Sequence, residues 1–154
     1  MKGGLAVLDN HAFLDNLTGS WDLTGTMGDV PLHQQVRADW TLGGTFLRMY
    51  FKSLTGGDNP TSDYEAVYHI AYNENHQIFV MHLLDTTDIP LNCVMGTGAR
   101  QGNELPFLFE YGQTGFLNRF VLHPDTDSWS FVQSFEEAGE IKIFATKEMV
   151  RTPG

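Results

Sequence analysis

Cysteine is all but missing. Cys93 stands alone among 154 residues, so the chain can form no internal disulfide and hold no cysteine-rich metal site. Its expected place is a small buried apolar position. Positive charge is scarce as well: 9 Lys and Arg against 19 Asp and Glu leave a net charge of −10, with no basic cluster anywhere. That balance argues against nucleic acid or an anionic membrane surface as a partner. No apolar run approaches the ~20 residues of a membrane-spanning helix, and Met1-Lys2-Gly3-Gly4-Leu5 lacks the apolar stretch of a signal peptide, so a cytoplasmic protein is expected. The six histidines (His11, His33, His69, His76, His82 and His123) never fall at the H-x-H or H-E-x-x-H spacings that put two ligands on one metal. A serine-nucleophile motif, a glycine-rich phosphate loop opening a helix and a Cys-His pair are also lacking. No cofactor and no metal are expected. Helix is in short supply too: only Leu8 to Leu17 carries a helical stripe (Leu8, Phe13, Leu14, Leu17), with Asp9 or Asn10 as its cap and Thr18-Gly19 as its end.

What is present is aromatic alternation. The chain has 11 Phe, 5 Tyr and 3 Trp, many at every second position, and 16 Gly mostly between those runs, which suits many short strands and tight turns. The clearest stretch is Trp40 to Phe51, two alternating runs around Gly43-Gly44. Such a pair reads as a hairpin turn because glycine adopts positive φ without strain. With those two residues as the turn, Trp40 faces Leu47, Ala38 faces Met49 and Val36 faces Phe51 on one side. Asp39 faces Arg48, Arg37 faces Tyr50 and Gln35 faces Lys52 on the other. One apolar face and one charge-matched face pin the register.

The same rule runs along the chain. Ser20 to Met27 forms a first strand, with Trp21, Leu23, Gly25 and Met27 on one face. Tyr64 to Tyr72 and Gln77 to Thr86 form a hairpin around Glu74-Asn75, pairing Ile70 with Phe79, Tyr68 with Met81, Ala66 with Leu83 and Tyr64 with Asp85. After the loop Thr87-Asp88-Ile89-Pro90 comes a short strand, Asn92 to Thr97. Leu105 to Tyr111 pairs with Phe116 to His123, setting Phe109 against Asn118 and Phe107 against Phe120. The next strand sets Trp129 against Leu122, Phe131 against Phe120, Gln133 against Asn118 and Phe135 against Phe116. The parity of the last strand, Glu140 to Val150, is open. About ten sequential antiparallel strands, with no helix to cover a sheet face, predict a single domain over 1–154. That domain is a closed up-and-down β-barrel with a short N-terminal helix across one opening, since closure alone removes exposed edges.

Leu17-Thr18-Gly19-Ser20-Trp21 carries the G-x-W that opens lipocalin-like (calycin) barrels, of which fatty-acid-binding-protein-like barrels are one form. Together with Leu42-Gly43-Gly44-Thr45-Phe46-Leu47, Tyr64-Glu65-Ala66, Tyr72, Phe79-Val80 and Asp85-Thr86, it resembles a bacterial lipocalin-like family of unknown function. That family is written L-x-G-x-W, L-G-G-x-F, Y-E-G, G-Y-D and W-x-D-S. The chain departs from the pattern where Ala71-Tyr72-Asn73 replaces G-Y-D, where Leu83 replaces the Trp, and at Tyr68 and His69. The resemblance implies a barrel with an internal cavity and no particular reaction. Nitrobindin-type haem barrels are similar in architecture, though the resemblance does not place their proximal histidine on this sequence.

If the apolar faces turn inward, the lumen wall is Trp40, Met49, Phe51, Tyr64, Tyr68, Met81, Asp85, Phe107, Phe109, Asn118, Phe120, Trp129, Phe131 and Gln133. Many aromatic walls with a few polar groups suit a small apolar or aromatic ligand. Asp85 with Tyr64 or Tyr68 would alternatively serve a cofactor-independent isomerase, cyclase or lyase as acid or base, or simply close a strand end. His69 and His82 share the opposite face near Glu65. If that face were the lumen, they would do the acid–base work or bind haem or a metal. If it is the exterior, Val67, Val80 and Leu84 beside them form an apolar strip suited to a homodimer.

Overall fold

The Trp40–Phe51 hairpin forms in the register that its two faces demand. In the computed structural model, which describes residues 9–87 and 94–153, Val36 pairs with Phe51, Ala38 with Met49, Asp39 with Arg48 and Trp40 with Leu47. The turn is longer than two residues: Leu42–Gly44 makes one 3-10 turn closed by Thr45, with Leu42, Gly43 and Gly44 all at positive φ.

Helix α1 (Asn10–Asp15) starts at Asp9, whose carboxylate accepts from the Ala12 amide at 2.6 Å. It ends earlier than the stripe to Leu17 suggests. The strands are β1 (Gly19–Met27), β2 (Val30–Thr41), β3 (Phe46–Ser53), β4 (Glu65–Asn73), β5 (Ile78–Asp85), β6 (Met95–Gly98), β7 (Glu104–Tyr111), β8 (Thr114–His123), β9 (Ser128–Glu137) and β10 (Glu140–Arg151). Each pairs antiparallel with its neighbours in sequence, and β10 returns to β1, so ten strands close one antiparallel barrel. Leu8, the loop residues Asp88-Ile89-Pro90, Asn92 and Cys93 lie outside the described residues.

Two hairpins slide by two residues from the sequence reading while keeping the same faces inward. Tyr68 pairs with Leu83 and Ala66 with Asp85, because the β4–β5 turn takes four residues, Glu74 to Gln77, with Gln77 at φ 53° and Asn73 Oδ1 accepting from the His76 amide. Phe109 pairs with Phe116 and Phe107 with Asn118, because Gly112-Gln113 alone makes the β7–β8 turn. A two-residue slip preserves side-chain parity, so the buried set is unchanged although every cross-strand partner differs. The β8–β9 pairs, including Asn118 with Gln133, stand as expected.

The last strand is bulged between Ile143 and Ala145. Ile141 and Ile143 are exposed, whereas Ala145, Lys147 and Met149 are buried. A bulge resets the in–out alternation, which is why no single parity fits that strand.

The two ends of the barrel differ. At one, α1 and the turn after it insert Phe13, Leu14 and Leu17 into the lumen, and Phe13 packs edge-on against Trp129 at 5.4 Å. The G-x-W tryptophan is fully buried here. Its indole donates to the Leu17 carbonyl at 2.7 Å, and the Arg151 guanidinium lies 4.1 Å over its ring. Arg151 also donates to the carbonyls of Thr18 and Asn16, so one side chain ties the end of β10 to the end of the helix. Burying each such aromatic contributes ~1.5–3 kcal/mol. Gly98 lets β6 approach β7: a Cβ there would stand 1.8 Å from the Pro106 carbonyl oxygen.

Candidate functional site

The end opposite α1 stays open and holds a cavity of about 430 Å³. Its wall comes from strand ends far from the helix: Leu32 and Gln34 on β2, Tyr68 on β4, Leu83 and Asp85 on β5, Gln133 on β9 and Lys147 on β10. Its mouth is an aromatic lip. Phe116, Phe135 and Phe144 stack within 4.7–5.8 Å of one another, beside Tyr111 and the partly exposed Met27. Pro60, Thr61 and Asp63 of the β3–β4 loop complete it, held by Asn59, which accepts from the Thr61 amide and hydroxyl and donates to the Pro31 carbonyl.

Of the residues expected to line the lumen, the fold brings Tyr64, Tyr68, Asp85 and Gln133 to this cavity. The others point inward but lie deeper, in the half that side chains fill. Met49, Phe51, Met81, Phe107, Phe109, Phe120, Trp129 and Phe131 form the packed core, with Phe120 at 4.5 Å from Phe131 and 5.5 Å from Phe107. Trp40 lies at the helix end, stacked on His11 at 4.2 Å with its indole donating to Asp15. Tyr68 divides the two halves, 4.4 Å from Phe51 on the core side and bordering the cavity on the other.

The polar groups are few. Tyr64 donates to Asp85 Oδ2 at 3.1 Å although it sits two residues beyond the paired position, and Thr87 donates its amide and hydroxyl to Asp85 Oδ1. Burial pushes the Tyr64 phenol well up, with Tyr68 and Asp85 adding to the rise. Burial pushes Tyr68 up too, Asp85 adds, and the amides of Asn118 and Gln133 oppose. Both hydroxyls therefore keep their protons at neutral pH. Gln34 is 2 % exposed and its Oε1 has no hydrogen-bond partner; Asn118, fully buried below the cavity, has none for either amide atom. The facing amides Asn118 and Gln133 are cross-strand neighbours without bonding each other.

Lys147 escaped the sequence reading. It is 9 % exposed and borders the cavity. Burial pulls its ammonium down to about 8, a shift that the charge of Asp85 partly opposes. The signal was a lone lysine between Ala145 and Met149, hidden by the bulge.

No histidine borders this cavity. His69 and His82 pair directly across β4 and β5 on the outer wall, flanking Phe46 at 6.5 and 6.2 Å. A shallow depression there is lined by Leu42, Leu84, Val94 and Met95 as well. Burial, Arg48 and His82 all hold His69 below the usual imidazole range. Among the described residues no group of three or more His, Cys, Asp or Glu could hold a metal, and no helix is long and apolar enough to cross a membrane.

The sequence matches no family model and no curated protein. Solved structures are similar in fold. One mutant of the fluorescent protein UnaG superposes with a TM-score of 0.54 at 9 % identity, covering 92 % of this chain and 99 % of that one. A second UnaG mutant gives 0.53 at 11 % identity, over 90 % and 98 %. At such identity the likeness establishes the barrel fold alone.

Proposed function

We propose that this protein binds one small, largely apolar molecule, aromatic or polyene-like, in the open half of its barrel. The observation that carries this reading is the cavity itself: about 430 Å³, walled by aromatic and aliphatic side chains and by Gln34, whose buried carbonyl oxygen has no donor. Binding cavities commonly measure ~300–1,000 Å³ with a few convergent polar groups, and a buried acceptor left unpaired costs ~1–3 kcal/mol that a ligand donor would recover. Titration with Nile red, a neutral apolar dye, tests it. Saturable one-to-one binding with a blue-shifted emission is the expected result; linear, unsaturable uptake would count against it.

The Tyr64–Asp85 bond keeps an enzymatic reading alongside: an isomerase, cyclase or lyase without a cofactor, with Asp85 as acid or base. Membership of the bacterial lipocalin-like family, a cytoplasmic location, and a small-molecule partner rather than nucleic acid or membrane belong to the same proposal. So does a homodimer through the outer wall of β4 and β5, where Leu84 is 48 % exposed beside Met95 of β6, 45 % exposed.

A further inference from the structure

Uptake of an apolar molecule needs no buried amine, yet the cavity has one. We propose that Lys147 forms an imine with an apolar aldehyde or ketone bound in the cavity, with Asp85 as the fixed counter-charge of the resulting iminium. The inference rests on the lumen-binding reading and names the ligand's reactive group.

Three observations converge. Lys147 is buried at the cavity wall, while Lys52 and Lys142 are exposed. Burial at the wall lowers its ammonium to about 8, so a larger share of Lys147 than of an exposed lysine is the neutral, nucleophilic amine. Asp85 stands on β5, opposite β10 in the ring of ten strands, and is held there by Tyr64 and Thr87. Gln34, whose buried Oε1 has no hydrogen-bond partner, is a third wall residue, and a turn of its side chain would offer that oxygen as an acceptor for a hydroxyl formed in the cavity.

The chemistry balances without an outside oxidant or reductant. The amine lone pair attacks the carbonyl carbon, the C=O π pair moves to oxygen, and a proton passes from nitrogen to that oxygen to give a carbinolamine. Its C–O bond then breaks, the oxygen leaves as water after taking up a proton, and the nitrogen lone pair closes the C=N bond. The iminium carries one positive charge against the Asp85 carboxylate.

Cinnamaldehyde is a suitable probe, with cinnamyl alcohol and cinnamate as carbonyl-free mates. The protein is incubated with the aldehyde and cyanoborohydride, which reduces an iminium to a stable secondary amine, and the adduct is mapped by peptide mass spectrometry. One adduct at Lys147 is expected, at least tenfold above Lys52 or Lys142 and lost in Lys147→Arg, which keeps the charge but forms no imine. If cinnamyl alcohol binds saturably while Lys147 is labelled no faster than Lys52 and Lys142, the imine is overturned and the binding reading survives. If cinnamate binds at least tenfold more tightly than the alcohol and Lys147 stays unlabelled, Lys147 is only a cation for acidic ligands and the proposal fails. If neither alcohol nor aldehyde enters, both readings fall. Should Lys147→Arg not fold, as judged by circular dichroism, the three-lysine comparison in the unaltered protein decides alone.

Discussion

Lys147 and Asp85 border one cavity from strands β10 and β5, which stand five places apart in a ring of ten. Their charges act on each other: burial lowers the lysine to about 8, and Asp85 opposes that fall. Replacing Asp85 with Asn keeps the shape and removes the charge. The lysine should then titrate lower still, below about 8, as followed by NMR of a reductively methylated amine. An unchanged midpoint would mean that the two groups do not sense one another.

The buried lysine should also weaken the fold. Its folded pKa lies below its unfolded value, so the unfolded chain binds more protons between about pH 8 and pH 10.5. The penalty is complete below pH 8, shrinks as pH rises through that window and vanishes above it. Lys147→Met should therefore be more stable than the unaltered protein by about 3 kcal/mol at pH 7, with the gap closing towards pH 10.5. Urea denaturation of both proteins at several pH values measures it. A pH-independent difference would assign the gain to packing alone.

The G-x-W end should behave as a structural lock. Trp21→Ala removes a fully buried ring, its hydrogen bond to Leu17 and the Arg151 contact, and should cost ~3–5 kcal/mol. Arg151→Met should cost less, ~1–2 kcal/mol, because that side chain is half exposed. Both should leave Nile red affinity nearly unchanged, since neither residue borders the cavity. Thermal denaturation and dye titration together check the separation of the two ends.

The barrel, its inward faces and the helix across one end were legible because strand alternation has period two and one face is mostly apolar. Depth along the barrel axis was not. Alternation says that Met49 and Tyr68 both face in, but not that Met49 is sealed in the core while Tyr68 meets the cavity. Turn lengths were misjudged at Glu74–Gln77 and Gly112-Gln113, and the two-residue slips that followed were harmless because they conserve parity. The bulge after Ile143 was costly, since it concealed the lysine.

On the outer wall, a homodimer seated on Leu84, Met95 and the His69–His82 pair should loosen in acid. His69 is held below the usual imidazole range, so protonation of the folded form comes late as pH falls below ~6.5, and it then places a charge in an apolar strip. Light scattering should show a dimer mass at pH 7.5 that falls towards the monomer near pH 5. In Leu84→Glu it should be monomeric at both. A monomer at pH 7.5 across micromolar concentrations would remove the dimer.

Lumen binding is tested most directly by filling the lumen. Leu83 borders the cavity from β5, and Leu83→Trp would occupy much of its volume without touching the helix end. With the fold confirmed by circular dichroism, Nile red should bind the unaltered protein one-to-one and bind Leu83→Trp at least tenfold more weakly. Equal affinity in the two proteins would place the dye, and the binding site, elsewhere than the open half of the barrel.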